Sequence, residues 1–107
     1  MSSKKLPPRA ERREAARVSE KVSRAREQLF ELSPGGRPEH PLTLSSASEV
    51  EVRATSTACP RCEGALRLVE HTAEVLGGRR LRVVRLRCAH CGTPRVLYFS
   101  LGGALPN

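Results

Sequence analysis

The sequence is poor in aromatic residues: 107 residues include no tryptophan, one tyrosine and two phenylalanines. Aromatic side chains bury the largest areas, so a chain with so few has little from which to build an extended core. It also lacks any run approaching the roughly 18 consecutive apolar residues of a membrane-spanning helix, so no membrane association is expected. No apolar stretch follows the basic start Met1-Ser2-Ser3-Lys4-Lys5, which carries no mark of a secretory signal. A cytoplasmic location with reduced thiols is the expectation that follows. Nucleophile elbow, phosphate loop, metalloprotease signature and paired-carboxylate arrangement are all missing. With little apolar surface to wall a deep pocket, neither an enzyme nor a small-molecule binder is expected.

Four cysteines stand against these absences. Cys59-Pro60-Arg61-Cys62 and Cys88-Ala89-His90-Cys91 form two C-x-x-C pairs. Two intervening residues let both sulfurs of a tight turn point at one ion, so each pair supplies half of a tetrahedral site. One structural Zn²⁺ held by Cys59, Cys62, Cys88 and Cys91 is the predicted cofactor, and four thiolates leave no open position for catalysis. A small domain with a thin core commonly needs such a staple. A pair of redox dithiols is the weaker alternative, because a thioredoxin-like motif needs a βαβ context that this sequence lacks. Iron suits the same thiolate tetrahedron chemically, and metal analysis separates it from zinc. His90 falls inside the second turn, where four thiolates already complete the set. His40 and His71 have no partners at ligand spacing.

The motifs C-P-x-C before a hairpin and C-x-x-C-G after it resemble the zinc-ribbon family, over roughly Val50 to Leu101, and the chain looks similar to small bacterial zinc-ribbon proteins. The resemblance implies a small antiparallel sheet of three or four strands with two knuckles clamping one zinc at one end. Glu63 departs from the pattern at a position where glycine is common. Ribbons serve many activities, so the resemblance leaves function open.

Composition and periodicity divide the chain. Residues 1–32 read as an N-terminal helical arm: Ala15, Val18, Val22, Ala25, Leu29 and Leu32 recur at alternating steps of three and four, one stripe of an amphipathic helix. Pro7-Pro8 suits its start and Ser33-Pro34-Gly35-Gly36 its end. Glu20 and Arg24 form an i,i+4 pair. Residues 33–47, rich in Pro, Gly, Ser and Thr, read as a flexible linker. Residues 48–101 read as the Cys₄ ribbon, and 102–107 as a disordered tail. Within the ribbon, Glu49 to Ala54 alternates as a first strand, and Ala65–Leu76 and Arg79–Arg87 form a hairpin through a type I′ turn at Gly77-Gly78. That turn sets Glu70 against Arg85, Val69 against Leu86 and His71 against Val84. Arg95–Leu101 supplies the last strand, with Leu97, Phe99 and Leu101 on one face. The expected fold is thus a small α+β, metal-stapled one, an amphipathic helix followed by an antiparallel zinc-ribbon sheet.

The formal charge of +8 and the pI near 10.4 invite a nucleic-acid partner. Arg79, Arg80, Arg82, Arg85 and Arg87 on the hairpin are the candidate contacts, with Arg61 and Arg95 nearby, since arginine forks match phosphate oxygens. Few aromatics are present for base stacking. The competing expectation is a protein partner, or a second copy, docked on the helical stripe with the ribbon as a rigid platform. A charged face that merely keeps strand edges solvated, or a helix packed on its own domain, is the plainer reading of each feature.

Overall fold

Proline has no N–H to give, which costs nothing at a helix start, and α1 begins directly after Pro8 and runs Arg9–Leu32. Ser33 ends it in an extended conformation, its backbone N–H and hydroxyl both turned onto the Leu29 carbonyl. The computed structural model describes residues 8–102; the proposed tail lies outside them from residue 103 onward. The remaining elements are β1 (Leu42–Leu44), a 3₁₀ turn (Ala47–Glu49), α2 (Val50–Thr55), β2 (Leu66–Leu76), β3 (Arg79–Cys88) and β4 (Pro94–Leu101).

The strands form one sheet in the order β1-β4-β3-β2. The β2–β3–β4 part is antiparallel, whereas β1 runs parallel to β4, pairing Leu42 with Phe99 and Leu44 with Leu101. The sheet is therefore mixed, correcting the expected all-antiparallel arrangement. Its parallel edge comes from the segment expected as a linker. Gly35 fixes that segment further, its carbonyl accepting from the Tyr98 N–H at 2.8 Å while its own N–H donates to the His40 carbonyl.

A second correction concerns Glu49–Ala54, expected as the first strand of the ribbon. It is helical. Ser46 and Glu49 close a capping box, with the Ser46 backbone N–H donating to the Glu49 carboxylate at 3.0 Å. Val50 and Ala54, four residues apart, then fall on one face of α2 and are fully buried. Apolar residues at i and i+4 satisfy helix and strand periodicity together, and burial of that pair against the sheet decides for the helix.

The hairpin follows its turn chemistry. Gly77 and Gly78 take φ of 57° and 78°, and Leu76 pairs with Arg79, Glu70 with Arg85 and His71 with Val84. Val69 does not pair with Leu86. Leu68 does, and Val69 is the extra residue of a β-bulge, exposed at the sheet edge. The main core cluster lies on the sheet face that meets α2, where Leu66, Val84, Leu86, Leu97 and Phe99 pack with Val50, Ala54, Cys59 and Cys88. Leu81 and Val83, at the alternate positions of β3, are buried outside that cluster. Cys59 and Cys88 are thus part of the apolar core itself, so the cysteine cluster is continuous with it.

Candidate metal centre

Each C-x-x-C pair sits in a turn of the same construction. In the first, the Glu63 N–H donates to the Cys59 carbonyl at 2.7 Å and the Cys59 N–H to the Gly64 carbonyl at 3.0 Å. In the second, the Gly92 N–H donates to the Cys88 carbonyl and the Cys88 N–H to the Thr93 carbonyl, both at 3.0 Å. The residue after the second cysteine of each pair takes a left-handed backbone, Glu63 at φ 62° and Gly92 at φ 74°. Glu63 thus holds the strained position expected of a glycine. Gly64 meets a different demand: a Cβ there would lie 2.8 Å from His90 Cβ and within about 3.2 Å of the Cys62 and Cys88 sulfurs. The two turns approach so closely at Gly64 that no side chain fits. They are stitched by the Ala89 N–H donating to the Ala65 carbonyl at 2.9 Å.

The four sulfurs converge, all within 4.8 Å of one another. Cys59 and Cys91 sulfurs are 3.8 Å apart, and those of Cys62 and Cys88 are 3.3 Å apart. A tetrahedron with metal–sulfur bonds near 2.3 Å has edges of roughly 3.8 Å, so the cluster is of a size to hold an ion such as zinc. No disulfide links them. Backbone and hydroxyl donors surround the sulfurs. Gly64 N–H reaches Cys62 Sγ, His90 and Cys91 N–H groups reach Cys88 Sγ, and Thr93 Oγ1 lies 3.1 Å from Cys91 Sγ.

These contacts split the thiol acidities. The Thr93 hydroxyl and N–H draw Cys91 down to about 6, and the Cys91 and His90 N–H groups draw Cys88 below its ordinary value. Burial, and the proton shared with Cys88, push Cys62 up to about 12. Without a cation the cluster holds thiols and thiolates in conflict. A divalent ion removes that conflict by replacing the protons.

Arg95 ties this cluster to α1. It is 9% exposed, buried among apolar groups, with Nη2 3.8 Å from Cys59 Sγ. Its other contacts are with the helix: Nη1 and Nη2 hydrogen-bond the two Glu27 carboxylate oxygens at 2.7 and 2.5 Å, and the guanidinium lies 5.8 Å from the centre of the Phe30 ring. The Arg95 guanidinium holds Glu27 below the usual carboxylate range, and Glu27 in turn raises Arg95. Sequence reasoning placed Arg95 among surface arginines and did not single out Glu27 or Phe30. The signal was available, because Arg95, Leu97 and Phe99 alternate on one strand face and that face is buried.

The remaining hairpin arginines separate into two groups. Arg85 is held by Glu74 at 3.0 Å and Glu70 at 3.6 Å, and Arg87 donates to the Gly92 carbonyl at 3.0 Å. Arg79, Arg80 and Arg82 make no ion pair among the described residues. His71 Nδ1 donates to the Glu51 carboxylate at 2.9 Å, away from the cysteines.

α1 rests on the module through Ser23, Glu27 and Phe30, its half-buried positions, with Phe30 packed against the core. At 100° per residue these lie about 140° around the helix from the stripe Ala15, Val18, Val22, Ala25, Leu29 and Leu32. That whole stripe is exposed, and so is every residue from Pro8 to Val22. No helix among the described residues is long and apolar enough to cross a membrane. No protein-family model, curated protein or solved structure matches the chain.

Proposed function

We propose that this chain is a zinc-ribbon-like binding module, stapled by one zinc ion, that presents α1 as a fixed arm for a protein partner. One observation carries the reading: α1 is anchored by Arg95, Glu27 and Phe30 on one side, while its apolar stripe faces solvent on another. A helix that used its apolar stripe to pack on its own domain would bury it. Here one apolar residue, Phe30, docks beside the Arg95–Glu27 pair, and the stripe is left for another molecule.

Zinc is the proposed ion, because four thiolates form a closed Cys₄ set that serves structure and not turnover. A reduced, cytoplasmic setting keeps the thiols available for the ion. With all four positions filled by sulfur, the centre has no site for substrate, which is the ground for a non-enzymatic reading.

Capture from lysate by the full-length, zinc-loaded chain tests the proposal. The expected result is a protein partner retained after nuclease treatment and lost with Val22→Glu/Leu29→Glu. Capture that needs nucleic acid, or that ignores the stripe substitutions, sinks it.

A second reading has its own support. Arg79 and Arg80 are exposed at the hairpin tip and Arg82 follows half-buried, none held by a carboxylate among the described residues, which suits contact with a nucleic-acid backbone. Binding of a short duplex that weakens steeply with salt, and weakens further when the three are changed to glutamine, would support it. Binding that is flat in salt would remove it.

A further inference from the structure

We infer that the partner of the α1 stripe is the α1 helix of a second copy of this chain, paired antiparallel; the inference rests on the binding-module reading above. The stripe has heptad spacing, with Ala15, Val22 and Leu29 at a positions and Val18, Ala25 and Leu32 at d positions. Size and charge decide the direction.

In a parallel pair each layer meets itself. Ala15 faces Ala15 and Ala25 faces Ala25, leaving two thin layers, while Leu29 and Leu32 make two thick ones. Helix axes cannot keep one separation along such a seam without voids, and voids forfeit contact energy. In the antiparallel register that uses the whole stripe, Ala15 faces Leu32, Val18 faces Leu29 and Val22 faces Ala25. Each alanine is then matched by a larger residue, and the seam is more even from end to end.

The flanking residues agree. A parallel pair sets Lys21 beside Arg26 of the other copy, twice over by symmetry, and like charges there oppose association. The antiparallel pair sets Lys21 beside Gln28 and Ser19 beside Arg26, with no repulsion on either flank. Leu29 also lines a shallow groove of about 310 Å³ with Phe30, Ala58 and Pro60. The second helix, crossing Leu29 with its Val18, can cover part of that groove and add contact beyond the stripe.

The anchoring of α1 leaves room for this partner. The module holds the helix on the side of Ser23, Glu27 and Phe30, and the stripe lies elsewhere on its circumference. Two alanines in the seam leave few large apolar anchors, so the association is weak and reversible.

Sedimentation of the zinc-loaded full chain over a wide concentration range tests self-association, and spin labels on Arg13→Cys test direction. A reversible dimer is expected, weakened at least tenfold by Val22→Glu/Leu29→Glu with zinc content and sheet signal unchanged. Labels at position 13 are expected about 30 Å or more apart along the axis in the antiparallel pair, against roughly 20 Å or less side by side in a parallel one. A monomer at all concentrations, a dimer indifferent to the substitutions, or a short label separation each overturns the inference. A monomer that still captures a different protein through the stripe overturns self-pairing while leaving the binding-module reading standing. Stripe-independent capture removes the latter instead.

Discussion

Arg95 and Glu27 are 68 residues apart in sequence and joined by two hydrogen bonds, Nη1 to Oε2 at 2.7 Å and Nη2 to Oε1 at 2.5 Å. Arg95 belongs to the strand that leaves the second cysteine turn, and Glu27 to the helix. The same guanidinium touches Cys59 Sγ, so one buried cation links the metal ligands to the N-terminal arm. A Cys₄ site with a divalent ion carries about two net negative charges, and Arg95 is placed to offset part of that charge.

The two ends of this pair differ in burial, and their removal should differ accordingly. Glu27 is 38% exposed in its side chain and Arg95 only 8%. Glu27→Ala strands a buried guanidinium with only the Cys59 sulfur and the Phe30 ring beside it, at a cost on the order of 3 kcal/mol. Arg95→Met leaves a carboxylate that water can reach, and a side chain of similar length in the core, at a cost of about 1 kcal/mol. Urea unfolding of zinc-loaded variants checks the order. If Arg95→Met proves the more damaging, the cation matters mainly to the sulfur cluster and not to the helix.

The pH dependence of the same pair follows from its sign. Hydrogen bonding to Arg95 lowers Glu27 below its ordinary 4.5. A carboxylate depressed in the folded state contributes stability that is complete above the unfolded value and fades as pH falls through the folded one. The gap between the native chain and Glu27→Gln should therefore stay constant from about pH 5 to pH 8 and close only below that window. Zinc release on acidification lowers both curves together and cancels in the difference. A gap that shrinks on going from pH 8 to pH 5 would mean the carboxylate is not held in this way.

Metal removal should act on the sheet more than on the helix's own hydrogen bonds. Cys59 and Cys88 lie inside the apolar core with Leu86, Val84 and Phe99, so scattering the thiols opens the core itself. Chelation of purified protein, or Cys59→Ser with Cys88→Ser, should abolish the cooperative thermal transition, and native protein should carry about one equivalent of zinc. Cooperative melting that persists in metal-free protein would show that the remaining apolar residues suffice.

Legibility of this fold in the sequence was uneven, for physical reasons. Local rules carried the helix limits, the Gly77-Gly78 turn, the Glu70–Arg85 pairing and the cysteine cluster, because each depends on neighbours a few residues away or on a motif with fixed geometry. The β1 strand was hidden because Leu42–Leu44 is only three residues long and owes its conformation to β4. Glu49–Ala54 misled because Val50, Val52 and Ala54 alternate, although the Ser46–Glu49 capping box already marked a helix start. The docking side of α1 was the least legible feature. Periodicity identifies where apolar residues lie and not which face meets the domain, and here Arg95, reaching Glu27 and Phe30, holds a face outside the stripe.

The left-handed residue of the first turn offers the sharpest local test. Glu63 takes φ 62° where the matching residue of the second turn is Gly92 at 74°. A side chain in that region costs roughly 1 kcal/mol, which glycine avoids. Its ion pair with Arg26, at 3.7 Å with both groups largely exposed, contributes little to offset this. Glycine does give the unfolded chain more freedom, which takes back part of the gain. Glu63→Gly should therefore stabilise the zinc-loaded protein by about 0.5 kcal/mol, whereas Glu63→Ala, which keeps the Cβ and loses the ion pair, should be neutral or slightly destabilising. Paired denaturation curves at equal zinc occupancy read both changes. Equal effects of glycine and alanine would show that the backbone of the first turn is not strained, whereas the expected difference shows two cysteine turns alike in hydrogen bonding but not in cost.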